Sequence, residues 1–191
     1  RLIAQAVYYF WAYIQLNQEK VNFIVPSGNF GNVFSARIAK FMGLPIDRLH
    51  IVTNENDILH RAISEGKMRI DNVKKTYSPS MDIQISSNFE RQLFESSNRN
   101  SELVKKIMHT FLKTGEQILS ENIIKDMKSA YNSHSVSNFQ TLETIKKFKE
   151  KLNYLADPHT ATGLHILDKM DNENPTISLA CAHPAKFGDA I

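Results

Sequence analysis

Residues 27–32 read Ser-Gly-Asn-Phe-Gly-Asn, two glycines three positions apart with a hydroxyl and two carboxamides around them. Glycine carries no Cβ and enters positive φ freely, so Gly28 and Gly31 are expected to turn successive backbone N–H groups toward one ligand. Ser27, Asn29 and Asn32 add side-chain donors and acceptors, with Phe30 set between the glycines. Such a loop suits an anion, a phosphate above all, provided a strand enters it and a helix leaves it. The spacing is neither Gly-x-Gly-x-x-Gly nor a P-loop with its Lys-Ser/Thr, so the common nucleotide folds are not indicated. On spacing alone, phosphate binding and a tight strand-to-helix turn without a ligand both stay open.

The flanking residues supply both elements. Residues 21–25 form a short apolar run suited to a strand, which Pro26 should stop because it cannot donate to a sheet ladder. From Val33 the spacing of Phe34, Ile38, Phe41 and Met42 predicts a helix, closed by Gly43 and Pro45. Residues 49–53 predict a second strand. Asn54-Glu55-Asn56-Asp57 then offers turn and N-cap residues for a helix over 58–65, ended by Gly66. Strands alternating with helices predict an α/β fold with a mostly parallel sheet, helices on both faces and ligands at the carboxyl ends of the strands. Residues 27–32 and 54–57 fall at such ends. So does Cys181, which follows a third predicted strand at 176–180 and opens Cys-Ala-His-Pro-Ala-Lys-Phe.

Elsewhere the pattern is helical. Residues 1–16 are apolar almost all round and too short to span a membrane, which predicts a buried helix packed on the sheet. From Lys67 the character changes, and residues 76–155 read as a mainly helical excursion covering the sheet. There Ser87-Asn88-Phe89-Glu90 fits a capping box, Ser101 a cap for a helix ending at Gly115, and residues 116–131 a weaker helix. Another helix is marked by Leu142, Ile145, Phe148 and Leu152, with Lys146, Lys147, Lys149 and Lys151 on a solvated face. Asp157-Pro158-His159-Thr160 is a turn with an N-cap, opening a short helix to Met170.

The composition, 42% hydrophobic and 23% charged over 191 residues, is that of a globular domain, and a net charge of +3 is too small to argue for nucleic acid. A single cysteine excludes an internal disulfide and fits a reducing compartment. His159 and His165 lack the spacing and companion ligands of a metal site, so no metal is expected. Cys181 and His183, two apart on a strand, could meet as a thiol pair, although a lone small residue there is more often packing. The chain opens on Arg1 and stops at Ile191 just past a recognisable segment, so it reads as a piece of a longer protein.

Taken together, Arg1-Leu-Ile-Ala-Gln, VPSGNFGN, LPIDRLHIVTNENDILHR, SPSMDIQISSNFERQLF, DPHTATG and AHPAKF occur in an order that resembles the threonine synthase family across essentially the whole chain. The resemblance implies a pyridoxal-phosphate (PLP) enzyme of the tryptophan-synthase β-like fold, fold type II. It would convert O-phospho-L-homoserine and water to L-threonine and phosphate, as a cytoplasmic monomer without membrane or nucleic-acid partners. It also implies that Ser27, Gly28, Asn29, Phe30, Gly31 and Asn32 cradle the cofactor phosphate and that Arg1 helps hold the substrate phosphate. Cys181 would stand at the pyridine nitrogen, where the family pattern has Thr. A thiol is a weaker hydrogen-bonding partner than a hydroxyl, a loss on the order of 1 kcal/mol.

In that family the lysine that forms the Schiff base lies in an upstream segment, and no lysine here occupies a matching context. There, that lysine moves the α and β protons, phosphate leaves the γ carbon and water adds at the β carbon. The chain by itself is therefore expected to be inactive. Two alternatives remain at this level: a related PLP lyase for another amino acid, and a non-catalytic phosphate-binding module.

Overall fold

The computed structural model describes residues 2–16, 18–171 and 174–190. Helix α1 (Leu2–Leu16) precedes strand β1 (Val21–Pro26), helix α2 (Gly31–Phe41), strand β2 (Ile46–Thr53) and helix α3 (Ile58–Ser64). Strand β3 (Lys67–Arg69) leads through a long loop to helices α4 (Phe89–Ser96) and α5 (Ser101–Thr114), strand β4 (Glu116–Ile118) and helix α6 (Glu121–Ala130). Strand β5 (Tyr131–Ser135), helices α7 (Asn138–Leu152) and α8 (Pro158–Leu167) and strand β6 (Thr176–Ser178) complete the regular elements.

The main sheet has the order β5-β2-β1-β6, and every pairing in it is parallel. All six residues of β1 are buried, as a strand covered on both faces requires. Val21, Phe23 and Val25 face a core shared with α1 to α6, while Ile24 and Val52 turn to the opposite face and pack against Ile166 and Leu167 of α8. The expected α/β architecture with helices on both faces is the one found. From β1 the chain builds outward through β2 to β5, then returns to place β6 on the other side of β1. A crevice opens at the carboxyl end of β1, walled by α1, α2 and the start of α4.

Several local expectations need correction. Helix α1 forms but is not buried: Ala6 and Tyr9 enter the core, whereas Ile3 is 74% and Trp11 66% exposed. One face of α1 rests on α2, and nothing among the described residues covers the other. Strand β1 keeps Pro26 as its last rung, opposite Val52, because Ser27 N–H takes up the bond to the Val52 carbonyl. Helix α2 begins at Gly31, two residues before Val33. The capping box at Ser87 does not form, since Ser87 bonds Asn29 instead, and Asn100 rather than Ser101 caps α5.

The weak helix over 116–131 is three elements. Gly115 turns the chain at φ 76°, β4 pairs antiparallel with β3, and only Glu121–Ala130 is helical before Tyr131 opens β5. Strand β5, Tyr-Asn-Ser-His-Ser, has no apolar alternation and is a strand only because it pairs with β2. The third predicted strand is shorter than expected, with β6 ending at Ser178, and α8 stops at Leu167.

Two contacts fix the strands that carry the crevice. A Cβ added at Gly163 would lie 2.6 Å from Ser178 Oγ and 3.1 Å from Pro26 Cγ, so α8 approaches the ends of β1 and β6 only because that residue is glycine. On the same sheet face, His50 and His134 stack across β2 and β5, with Nδ1 of His50 3.3 Å from Nε2 of His134. Burial, then His134 and Arg48, lower the His50 pKa from 6.5 to about 4.

Gly163→Ala should cost about 1–2 kcal/mol in chemical denaturation, overpacking outweighing the gain in helix propensity. Because the folded pKa of His50 lies below its unfolded value, its contribution is complete above pH 6.5 and declines as pH falls toward about 4. Stability should drop across that window, and a pH series on His50→Gln should be flatter there.

Candidate functional site

The crevice is a cleft of about 610 Å3 whose walls include Leu2, Gln5, Ser27, Gly28, Asn32 and Arg91. Its floor is the loop between β1 and α2. Among the described residues, the N–H groups of Gly28, Asn29, Gly31 and Asn32 find no acceptor in the chain. The N–H of Phe30 is taken internally by Ser27 Oγ at 3.2 Å. Helix α2 adds the positive end of its dipole, and its first turn contains no acidic residue to oppose an anion.

The loop reaches this shape differently from the sequence expectation. Neither Gly28 nor Gly31 has positive φ; Phe30 does, at φ 60°. A non-glycine residue held left-handed costs on the order of 1 kcal/mol, offset here by packing. The Phe30 ring is wholly buried, edge-on to Phe89 at 5.2 Å and to Tyr131 at 5.8 Å. Gly28 serves close approach instead: a Cβ there would stand 2.9 Å from Met81 Cα and 3.0 Å from the Ser80 carbonyl.

Neighbouring segments hold the loop in place. Asn29 Oδ1 accepts from Ser87 N–H at 2.6 Å and from its hydroxyl at 2.8 Å, and Asn88 Nδ2 donates to the Asn29 carbonyl at 3.0 Å. On the far side, the Tyr9 hydroxyl lies 2.8 Å from Asn32 Oδ1. Burial and then the nearby Cys181 push the Tyr9 pKa well above its usual value, so it stays a neutral donor.

The segment pressing on Gly28 is itself pinned from two directions. Asn54 Nδ2 donates to Asp82 Oδ1 at 2.7 Å and Thr76 Oγ1 at 2.8 Å, while Asn56 Nδ2 donates to the Lys74 carbonyl at 2.8 Å. Asn54 and Asn56, at a strand end where ligand contact is expected, are spent on this buried network. From the other direction, Ser80 N–H donates to His159 Nε2 at 3.2 Å, so His159 carries its proton on Nδ1, 3.0 Å from Asp157 Oδ1.

Asp157 is the hub behind Cys181. It caps α8 through His159 N–H, accepts from the Thr160 hydroxyl, and accepts from Ala182 N–H at 3.1 Å. Thr160 Oγ1 in turn accepts from Cys181 N–H at 2.8 Å. Burial alone would raise the Asp157 pKa, but hydrogen bonds from His159, Thr160 and the Ala182 backbone outweigh it and hold the carboxyl below the usual range. The Cys181 thiol faces open space yet has protein massed around it; that mass, and then the Asp157 charge, push it up to about 12. A thiol that stays protonated at neutral pH is a hydrogen-bonding group, not a nucleophile. His183 does not join it, its Nδ1 accepting from Ala185 N–H.

Ser27, Gly28, Asn29, Gly31 and Asn32 thus share the cleft, whereas Phe30 is turned into the core and Cys181 does not line it. Arg1 lies outside the described residues, although Leu2 beside it lines the cleft. Sequence reasoning missed Gln5 and Arg91. Arg91 falls inside the SSNFER segment, where the signal was a cation just after two residues able to hold a glycine loop. Among the described residues, no group of three or more His, Cys, Asp or Glu side chains gathers to hold a metal, and no helix is long and apolar enough to cross a membrane.

Asp157→Ala strands several buried donors and should cost about 3–5 kcal/mol in thermal or chemical unfolding. Since its folded pKa is depressed, the Asp157 contribution is present above about pH 4 and lost as pH falls through the folded value. Asp157→Asn should show a shallower acid limb than the parent chain.

The model of the family described as threonine synthase, C-terminal, matches residues 160–191. Across its whole length the chain is 40% identical to threonine synthase of Pseudomonas aeruginosa and 41% identical to that of Saccharomyces cerevisiae, covering 42% of each. It superposes on the crystal structure of PLP-bound threonine synthase from Brucella melitensis with a TM-score of 0.96 and 43% identity, covering 99% of this chain and 41% of that one. The chain therefore spans less than half the length of these relatives. From end to end, in both sequence and fold, the chain is thus similar to one part of these threonine synthases.

Proposed function

We propose that this chain forms the cofactor-phosphate half of a PLP-dependent threonine synthase, a lyase that converts O-phospho-L-homoserine and water to L-threonine and phosphate in the cytoplasm. The observation that carries this reading is the set of unpartnered N–H groups on Gly28, Asn29, Gly31 and Asn32, four residues that line one cleft at the carboxyl end of β1. Donors of that number, with a helix N-terminus behind them, fit a phosphate dianion.

The chain's own residues divide the work as follows. The loop holds the phosphate end of PLP, and Phe30, anchored between Phe89 and Tyr131, keeps the loop from collapsing onto its own donors. Tyr9 fixes Asn32 from one side, and Ser87 and Asn88 fix Asn29 from the other. Asp157 and Thr160 orient Cys181, which serves the pyridine nitrogen as a neutral thiol. When bound, PLP supplies an electron sink for negative charge developing on the amino-acid carbons. Arg1 contributes positive charge to the substrate phosphate, which favours its departure. Proton transfer at the α and β carbons needs a lysine, and no lysine of this chain stands in a context that matches that role.

Two measurements test this reading. PLP binding followed by absorbance should weaken at least tenfold in Gly28→Val, whose side chain would force Met81 and Ser80 off the loop. In a protein carrying this chain within the full length of its relatives, O-phospho-L-homoserine should yield threonine and phosphate in equal amounts. Phosphate release without threonine, or PLP binding without either product, would refute the assignment.

A further inference from the structure

Arg91 projects from the first turn of α4 into the wall of the same cleft that the anion loop floors. Among the described residues it has no carboxylate partner. Its i+4 acid, Glu95, is engaged by Arg99 at 3.2 Å. Among the described residues, the one hydrogen bond its side chain makes is from Nε to Asn88 Oδ1 at 3.4 Å, which leaves both terminal nitrogens of the guanidinium unused. Asn88 simultaneously donates to the Asn29 carbonyl at 3.0 Å. A single carboxamide therefore ties the guanidinium to the anion loop and sets the two relative to each other.

A guanidinium without a counter-ion, at the wall of a cleft floored by unpartnered N–H groups, is built for a planar two-point contact with a carboxylate or phosphate. The loop already presents four N–H groups, enough for one phosphate. The cleft, at about 610 Å3, lies within the range of small-molecule sites and has room for a second anionic group. We infer that Arg91 receives the anionic group of the substrate, its phosphate or its carboxylate, at a position separate from the cofactor phosphate, with Asn88 as its positioning residue. This inference rests on the functional reading above for the identity of the first anion, but not for the existence of the second.

The probe is inorganic phosphate, titrated calorimetrically into the chain without and with saturating PLP, alongside PLP titrations read by absorbance. Phosphate should bind in the presence of PLP. Arg91→Gln should weaken phosphate at least tenfold and PLP less than twofold. Arg91→Lys, which keeps the charge and loses the fork, should fall between. Asn88→Ala should weaken phosphate by a smaller factor, since the cation remains but is no longer steered. Because Arg91 is exposed, the glutamine variant should keep the parent circular dichroism.

Phosphate affinity unchanged in Arg91→Gln, phosphate excluded by PLP, or equal loss of both ligands would each overturn the inference; the last two would mean one shared anion. Absence of phosphate binding by the parent chain would overturn it as well. If the parent binds phosphate in an Arg91-dependent way but binds no PLP, the second-anion position stands and the cofactor reading falls.

Discussion

Four backbone N–H groups at the end of a buried strand cannot be left unpaired without cost, and the molecule is arranged around that constraint. A buried unpartnered amide costs on the order of 1–3 kcal/mol, so a fold that keeps four of them open must expose them to solvent or ligand and stop the loop from relaxing. The cleft provides the exposure. Restraint comes from Phe30, whose left-handed backbone would revert if its ring were not locked between Phe89 and Tyr131.

The surrounding polar groups follow from the same requirement. Asn54, Asn56, Thr76 and Asp82 form a satisfied buried network that holds one segment against Gly28, and His159 secures that segment from the opposite wall. Asp157 joins the N-terminus of α8 to the segment after β6, so the cap of a helix also sets the position of Cys181. A network of this kind is worth having only when complete, because each missing partner leaves a buried group stranded. Rigidity at the loop and polarity behind it are two sides of one arrangement.

Helix α1 shows where this reasoning meets the surface. Tyr9 is fully buried and braces Asn32, yet Ile3 and Trp11 of the same helix are open to solvent. Its apolar composition on all sides reads as burial, and only one face has a partner among the described residues. The sequence pattern records how much of a helix is apolar; it carries no information on how many neighbours the helix meets.

The chain order of Val21 to Pro26, the glycine loop and α2 was legible because each element announces itself locally: a short apolar run, two glycines, then apolar residues at helical spacing. The cap at Asp157 and the turn at Gly115 were legible for the same reason. Strand β5 was not, since Tyr-Asn-Ser-His-Ser becomes a strand only through pairing with β2. Nor could spacing say that Phe30, not a glycine, takes the left-handed turn, because that choice depends on a pocket formed by residues about 60 and 100 positions away. Arg91 belongs with these. Its charge was plain in the sequence, but its freedom was decided only when Arg99 claimed Glu95 and Asn88 tied the guanidinium to the loop. Local chemistry is written in residue order, whereas what a side chain is free to do depends on the partners that folding brings to it.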